Sequence, residues 1–190
     1  MSRVAQATPP QMAPAASTGT GASTSTSDRR RIQVRRSGVH GKGVFALQAI
    51  GEGDLVIEYK GQIISWPEAL RRHPHDASDP NHTFYFHIDD KHVIDAAVGG
   101  NAARWINHAC EPNCRADETD GRVFIHAARD LMPGEELFYD YGLIIDERYT
   151  PKLKKEYECR CGSATCRGTM LAPKRAPRTP APTRATSARK

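Results

Sequence analysis

The sequence predicts a mainly β protein with a few short helices, and it does so through three features. Apolar residues alternate or cluster in short runs instead of recurring at helical spacing. Gly, Pro, Asn and Asp break those runs, and groups of turn-forming residues lie between them. In chain order, strands are expected at Val44 to Leu47, Leu55 to Tyr59, Thr83 to Ile88, His92 to Asp95, Val123 to Ala127 and Glu136 to Tyr139. Turns are expected at Gly51–Asp54, Asp89–Lys91 and Met132–Glu136, each rich in Gly, Asp or Pro. A helix is expected over Trp66–Arg72, because Pro67 falls in the first turn, where its missing N–H leaves nothing unsatisfied. A second helical stretch is expected near Gly100–Trp105.

The length of 190 residues, with 38% hydrophobic content, suits one globular domain with its own core. Residues 1–30 are mostly Ala, Ser, Thr, Pro and Gly, a composition that buries too little apolar surface to offset its ordering entropy, so a disordered tail is expected there. Residues 171–190 are expected to form a second, basic disordered tail, and from Pro173 onward they repeat Pro, Ala, Thr and Arg. The charge is unevenly spread. Residues 1–30 hold three Arg and one Asp, and residues 171–190 hold six Lys or Arg and no acid, so the ends carry +8 of a net +5 and residues 31–170 about −3. A mildly acidic body suits a basic peptide better than a phosphate backbone, while the C-terminal tail is a candidate contact for nucleic acid. The sequence contains neither a run of about 20 apolar residues nor a basic-then-apolar leader, so a soluble, intracellular protein with no membrane partner is expected.

Three of the five cysteines crowd into Cys159, Cys161 and Cys166, too tight a spacing for a disulfide framework of separate loops. A reducing compartment and a metal fit better. Gly162 and Gly168 let the backbone curl around an ion, and three thiolates call for a fourth ligand to complete the tetrahedron that zinc prefers. Cys110 is the better choice for that ligand, with Cys114 as the alternative.

The stretch around Cys110 carries a family resemblance. Arg104-Trp105-Ile106-Asn107-His108-Ala109-Cys110-Glu111-Pro112-Asn113 resembles the R-F-x-N-H-S-C-x-P-N signature of SET-domain protein lysine methyltransferases, and Glu136-Leu137-Phe138-Tyr139-Asp140-Tyr141 resembles their E-L-x-Y-D-Y signature. Gly41-Lys42-Gly43 would by itself indicate no more than a tight turn, but within Ser37 to Phe45 it resembles the family's opening G-x-G element. Glu58-Tyr59-Lys60-Gly61 resembles the E-Y-x-G that follows, and Cys159 to Cys166 the post-SET zinc segment. Together these cover about residues 32–170. The resemblance implies a SET domain over 31–145, a post-SET segment over 146–170, and a fold of small curved sheets with a C-terminal pseudoknot. The pseudoknot would bring Asn107 and His108 beside Tyr139 to Tyr141.

The resemblance also implies S-adenosylmethionine as cofactor, held by the backbone near His40 and Lys42 and by Asn107 and His108, with Arg160 covering the adenine. Tyr141 would orient the target amine. Tyr139 stands where the family limits methyl addition, which favours mono- or dimethylation. A histone or other basic protein would be the substrate, in the nucleus on chromatin if the protein is eukaryotic or a host-directed effector, in the cytoplasm if bacterial. The competing expectation is a non-catalytic SET-like module that binds basic tails or DNA. Three departures stand out. Phe84-Tyr85-Phe86 replaces a Y-x-F element, which leaves open whether Phe84 or Tyr85 lines the lysine channel; Ala109 replaces a Ser; and the cysteine-rich pre-SET region is absent.

Overall fold

The computed structural model describes residues 4–6, 30–73 and 83–174. Twelve strands, two α-helices and one 3-10 helix make up the described chain. They are β1 (Val4–Gln6), β2 (Ile32–Arg36), β3 (Lys42–Ala46), β4 (Leu55–Tyr59), β5 (Gln62–Ser65), α1 (Trp66–Arg72), β6 (Tyr85–His87) and β7 (His92–Asp95). The 3-10 helix Ala102–Trp105 follows, then β8 (Asn107–His108), β9 (Cys114–Thr119), β10 (Arg122–Ala127), β11 (Phe138–Tyr139), β12 (Leu143–Ile145) and α2 (Pro151–Glu156).

The strands form five small sheets, as the mainly β expectation requires. One is the antiparallel order β4-β10-β9, another β5-β7-β6, and β2 pairs with β3. β11 pairs with β8 in parallel, Phe138 opposite Asn107 and Tyr139 opposite His108, so the two signature segments become neighbours as the expected pseudoknot demands. β1 pairs antiparallel with β12. Within the segment read as a disordered tail, Val4–Gln6 is the described stretch, and its backbone pairs with the edge of β12. The rest of that segment, and residues 175–190 of the basic tail, lie outside the described residues.

Helix α1 begins as its sequence dictates. The Ser65 hydroxyl accepts from the Glu68 N–H, Pro67 sits in the first turn, and Trp66 and Ala69 bury against Ile64 and Val93. The stretch near Gly100 is a single 3-10 turn whose N-cap, Asn101, accepts from the Ala103 N–H. The strand expected at Glu136–Tyr139 is reduced to its second half. Leu137 gives its N–H to the Val44 carbonyl and Glu136 bridges Phe45, so the first half of the segment docks on β3.

The main core gathers the fully buried Val44, Ile50, Ile106, Ile125, Leu131 and Leu137, each contributing roughly 1.5–3 kcal/mol by leaving water. A separate cluster of Leu143, Ile145, Tyr157 and Leu171 holds the C-terminal segment. The site described next lies where these two clusters meet, and Tyr141 packs against both. Among the described residues no helix is long and apolar enough to cross a membrane.

Candidate active site and cysteine cluster

Short parallel pairing of β8 with β11 positions the first wall of the site. Asn107 turns its amide away from the core: Nδ2 donates to the Lys42 carbonyl at 2.9 Å, to the His40 carbonyl at 3.5 Å and to Glu136 Oε1 at 3.0 Å. One side chain thereby fixes the start of β3 and the loop before it against the segment leading into β11. Gly43 leaves room at this junction for the Glu136 carboxylate that Asn107 holds, and a Cβ there would displace it. The Lys42 ammonium lies over the Trp105 ring, 4.4 Å from its centroid.

His108 is buried, and its tautomer follows from its neighbours. The Tyr141 backbone N–H donates to Nδ1 at 3.1 Å, so Nδ1 is unprotonated and the ring hydrogen sits on Nε2, 3.5 Å from Cys110 Sγ. Burial pushes the imidazole down to about 4, against the opposing pull of Asp140, so the ring is neutral near pH 7. The 3.4 Å approach of Asp140 to Nδ1 is therefore no ion pair; Asp140 instead takes both Arg167 guanidinium nitrogens, at 2.7 and 2.8 Å.

Tyr141 donates its hydroxyl to the Ile106 carbonyl at 2.8 Å, and its ring lies 4.9 Å from that of Tyr139 and 5.3 Å from His108. Burial, aided by Tyr139, lifts the Tyr141 phenol well above its ordinary range, so it remains a neutral hydroxyl. A cavity of about 620 Å³ opens beside these groups. It is lined by His40, Lys42, Asn107, His108, Tyr139 and Tyr141, and on its C-terminal side by Cys159 and Arg160. Every residue expected at the cofactor or catalytic positions therefore lines one space. Arg160 is largely exposed and reaches Glu158 at 3.4 Å.

Of Phe84 and Tyr85, between which the sequence left the choice open, Tyr85 is the one at the cavity. Phe84 packs edge-on against Trp105 with centroids 5.0 Å apart, in the main core, whereas Tyr85 lines the cavity and donates its hydroxyl to the Ala69 carbonyl at 3.1 Å. Side chains alternate along a strand, so Phe84 and Phe86 share the core face and Tyr85 takes the other.

The four sulfurs of Cys110, Cys159, Cys161 and Cys166 lie within 4.8 Å of one another. Cys110 Sγ is 3.7 Å from that of Cys159 and 3.9 Å from that of Cys166. A tetrahedral thiolate site with metal–sulfur bonds of about 2.3 Å has edges of about 3.8 Å, so the set suits zinc. Backbone N–H groups of Arg167, Cys161 and Gly168 point at Cys110, Cys159 and Cys166, an arrangement that favours thiolates. Cys114 is buried in the main core, where burial pushes its thiol up to about 12, and it takes no part in the cluster.

Sequence reasoning did not assign Asn113 or Arg167. Asn113 is 4% exposed; its Nδ2 donates to the Glu136 carbonyl at 2.8 Å and to Glu135 Oε1 at 2.9 Å, and its Oδ1 accepts the Phe138 N–H at 2.8 Å. Its place at the end of the Asn-His-Ala-Cys-Glu-Pro-Asn run was the available signal. Asn113→Ala would orphan a buried N–H and a carbonyl and is expected to cost about 2–4 kcal/mol, read by chemical denaturation. For Arg167 the signal was adjacency to Cys166. It joins the cysteine cluster to Asp140 between the two tyrosines.

The family model described as SET domain matches residues 41–142. Histone-lysine N-methyltransferase TRX1 of Oryza sativa subsp. japonica is 38% identical over 148 residues, 75% of this chain and 14% of that protein. Histone-lysine N-methyltransferase trithorax of Drosophila melanogaster is 39% identical over 140 residues, 72% of this chain and 4% of its own length. The "Histone-lysine N-methyltransferase, H3 lysine-4 specific" of Schizosaccharomyces pombe is 37% identical over 147 residues, 75% of this chain and 15% of its own length. The chain thus spans less than a sixth of each of these relatives.

Proposed function

Because the chain belongs to the SET-domain family, we propose that it is a protein lysine N-methyltransferase that uses S-adenosylmethionine and acts on a histone or other basic protein. The observation that carries this reading is the convergence of Asn107, His108, Tyr139 and Tyr141 on one cavity. The methyl donor, when bound, supplies a sulfonium methyl for in-line displacement by the lysine amine. On the chain's side, the carbonyls of His40 and Lys42 offer acceptors whose positions Asn107 fixes, and Arg160 stands at the rim to cover the donor's base.

A lysine in water has a pKa of about 10.4, and a channel of tyrosine rings disfavours its charged form. Tyr59, Tyr85, Tyr139 and Tyr141 line the cavity in a way that suits this task. The Tyr141 hydroxyl, already oriented by Ile106, aligns the incoming amine, and nearby backbone carbonyls add weak C–H···O contacts. The rate then comes from positioning, without a charged base. Four thiolates, from Cys110, Cys159, Cys161 and Cys166, would hold a zinc ion that provides a tetrahedral clamp and no redox chemistry.

Tritiated donor incubated with core histones tests this reading. Label should enter a histone with the wild type and vanish with Tyr141→Phe; no label on any basic protein would favour a non-catalytic module that binds basic tails or DNA. A histone acceptor would put the reaction on chromatin.

Tyr139, 4% exposed and packed beside Tyr141, crowds a third methyl group, which favours mono- and dimethyl-lysine. Tyr139→Phe is expected to raise the trimethyl fraction severalfold in mass spectra of a full-turnover reaction. Mainly trimethyl-lysine from the wild type would refute the assignment.

A further inference from the structure

β1 lies against β12 and also approaches β6, two strands that contribute Leu143 and Tyr85 to the cavity wall. The register is Val4 opposite Ile145, Ala5 opposite Ile144 and Gln6 opposite Leu143. β12 has two edges, and one is already used: the Leu143 N–H goes to the Met170 carbonyl at 3.2 Å, and its own carbonyl accepts the Ala172 N–H at 2.8 Å. Strand alternation turns the Ile144 N–H and carbonyl to the other edge, toward Ala5. That second edge is the place where an extended peptide beside the cavity would add as a strand.

We propose that residues 4–6 act in cis as a pseudosubstrate strand, occupying the β12 edge at the mouth of the cavity, so that a protein substrate must displace them. This rests on the methyltransferase reading above. Occupation would be unproductive, since Val4, Ala5 and Gln6 offer no side-chain amine to methylate. It would also be reversible. β1 and β12 form a two-stranded sheet, and isolated two-stranded pairings are marginal in water. The chain between Gln6 and Arg30 can extend to about 80 Å, enough for release without unfolding the domain. Tethering keeps the local concentration of the strand high, so a substrate peptide competes against an internal rival.

The test uses full-length chain carrying Ala5→Pro, which removes the N–H facing Ile144 and lies outside the catalytic and metal-binding residues. Hydrogen exchange at the Ile144 amide should accelerate at least tenfold in the variant and return toward the wild-type rate when a synthetic peptide of residues 1–12 is added. With a histone tail peptide as substrate, KM should fall about tenfold at unchanged kcat, as expected when a competitor that blocks most of the sites is removed. The 1–12 peptide should inhibit the variant competitively against the histone peptide and not against the methyl donor. Unchanged exchange at Ile144 together with an unchanged KM would overturn the proposal while leaving the methyltransferase reading in place. Faster exchange at Ile144 that the 1–12 peptide reverses, with no methylation of any basic protein by either chain, would uphold the strand's occupancy of the edge and overturn both the methyltransferase reading and the pseudosubstrate role that rests on it.

Discussion

Replacing Tyr141 by Phe is expected to lower methyl transfer at least a hundredfold, measured as kcat on a histone peptide, while the protein remains folded. The substitution removes one oxygen. In the structure that oxygen donates to the Ile106 carbonyl at 2.8 Å, and Ile106 immediately precedes Asn107. The hydroxyl therefore joins the segment that fixes the His40–Lys42 loop to the segment that ends at Tyr141. Losing it has two separable consequences. The Ile106 carbonyl loses a partner, at a cost of about 1–3 kcal/mol in stability, which thermal unfolding would register. The incoming amine loses an orienting group, and misplacement of about 1 Å is enough for a hundredfold loss. Donor binding should change far less, because Asn107 and His108 keep their own partners. A variant whose donor affinity collapses in proportion to kcat would assign Tyr141 to the architecture of the pocket instead of to the transfer step.

Phe84 and Tyr85 show how far the sequence could be followed. Three consecutive aromatics give no periodicity by which to choose a face, and a motif offset by one residue inverts the choice, since a one-residue slip exchanges the two faces of a strand. By contrast, α1 was legible to the residue because Pro67 is a local signal that acts on the first turn itself. The same signal stood at Thr150 and Pro151, where Thr150 caps Leu153 and α2 follows, but its sequence PKLKKE has no apolar stripe to draw attention to it. β9 escaped for a related reason: Cys114 to Thr119 is mostly polar, and it is a strand because β10 offers it a full ladder. Asn113 and Arg167 lie deeper still. Their importance depends on which carbonyl or carboxylate the fold brings opposite them, and neither spacing nor composition encodes that.

Chelation should abolish activity before it unfolds the domain. Cys110 sits two residues after His108 and its sulfur faces the His108 ring, so a metal held there touches the cofactor wall through one side chain. On the other side the same ion would fix Cys159 and, with it, Arg160 at the cavity rim. The main core, from Val44 to Tyr139, includes none of the four ligands. The C-terminal segment is held by its own small cluster of Leu143, Ile145, Tyr157 and Leu171, and by the Arg167–Asp140 pair. Removing zinc thus takes away the clamp on a peripheral unit while the core keeps its burial. Stepwise chelation is expected to cost about a hundredfold in methyl transfer, in line with the weight of metal-site support, and to speed hydrogen exchange across 157–171 before exchange rises across β3, β4 and β10. The intermediate state should regain activity when zinc is returned, because Tyr139 and Tyr141 never left the folded body. Simultaneous loss of activity and of core protection at one chelator concentration would instead make the metal a global fold determinant, as in domains that are unfolded without their ion.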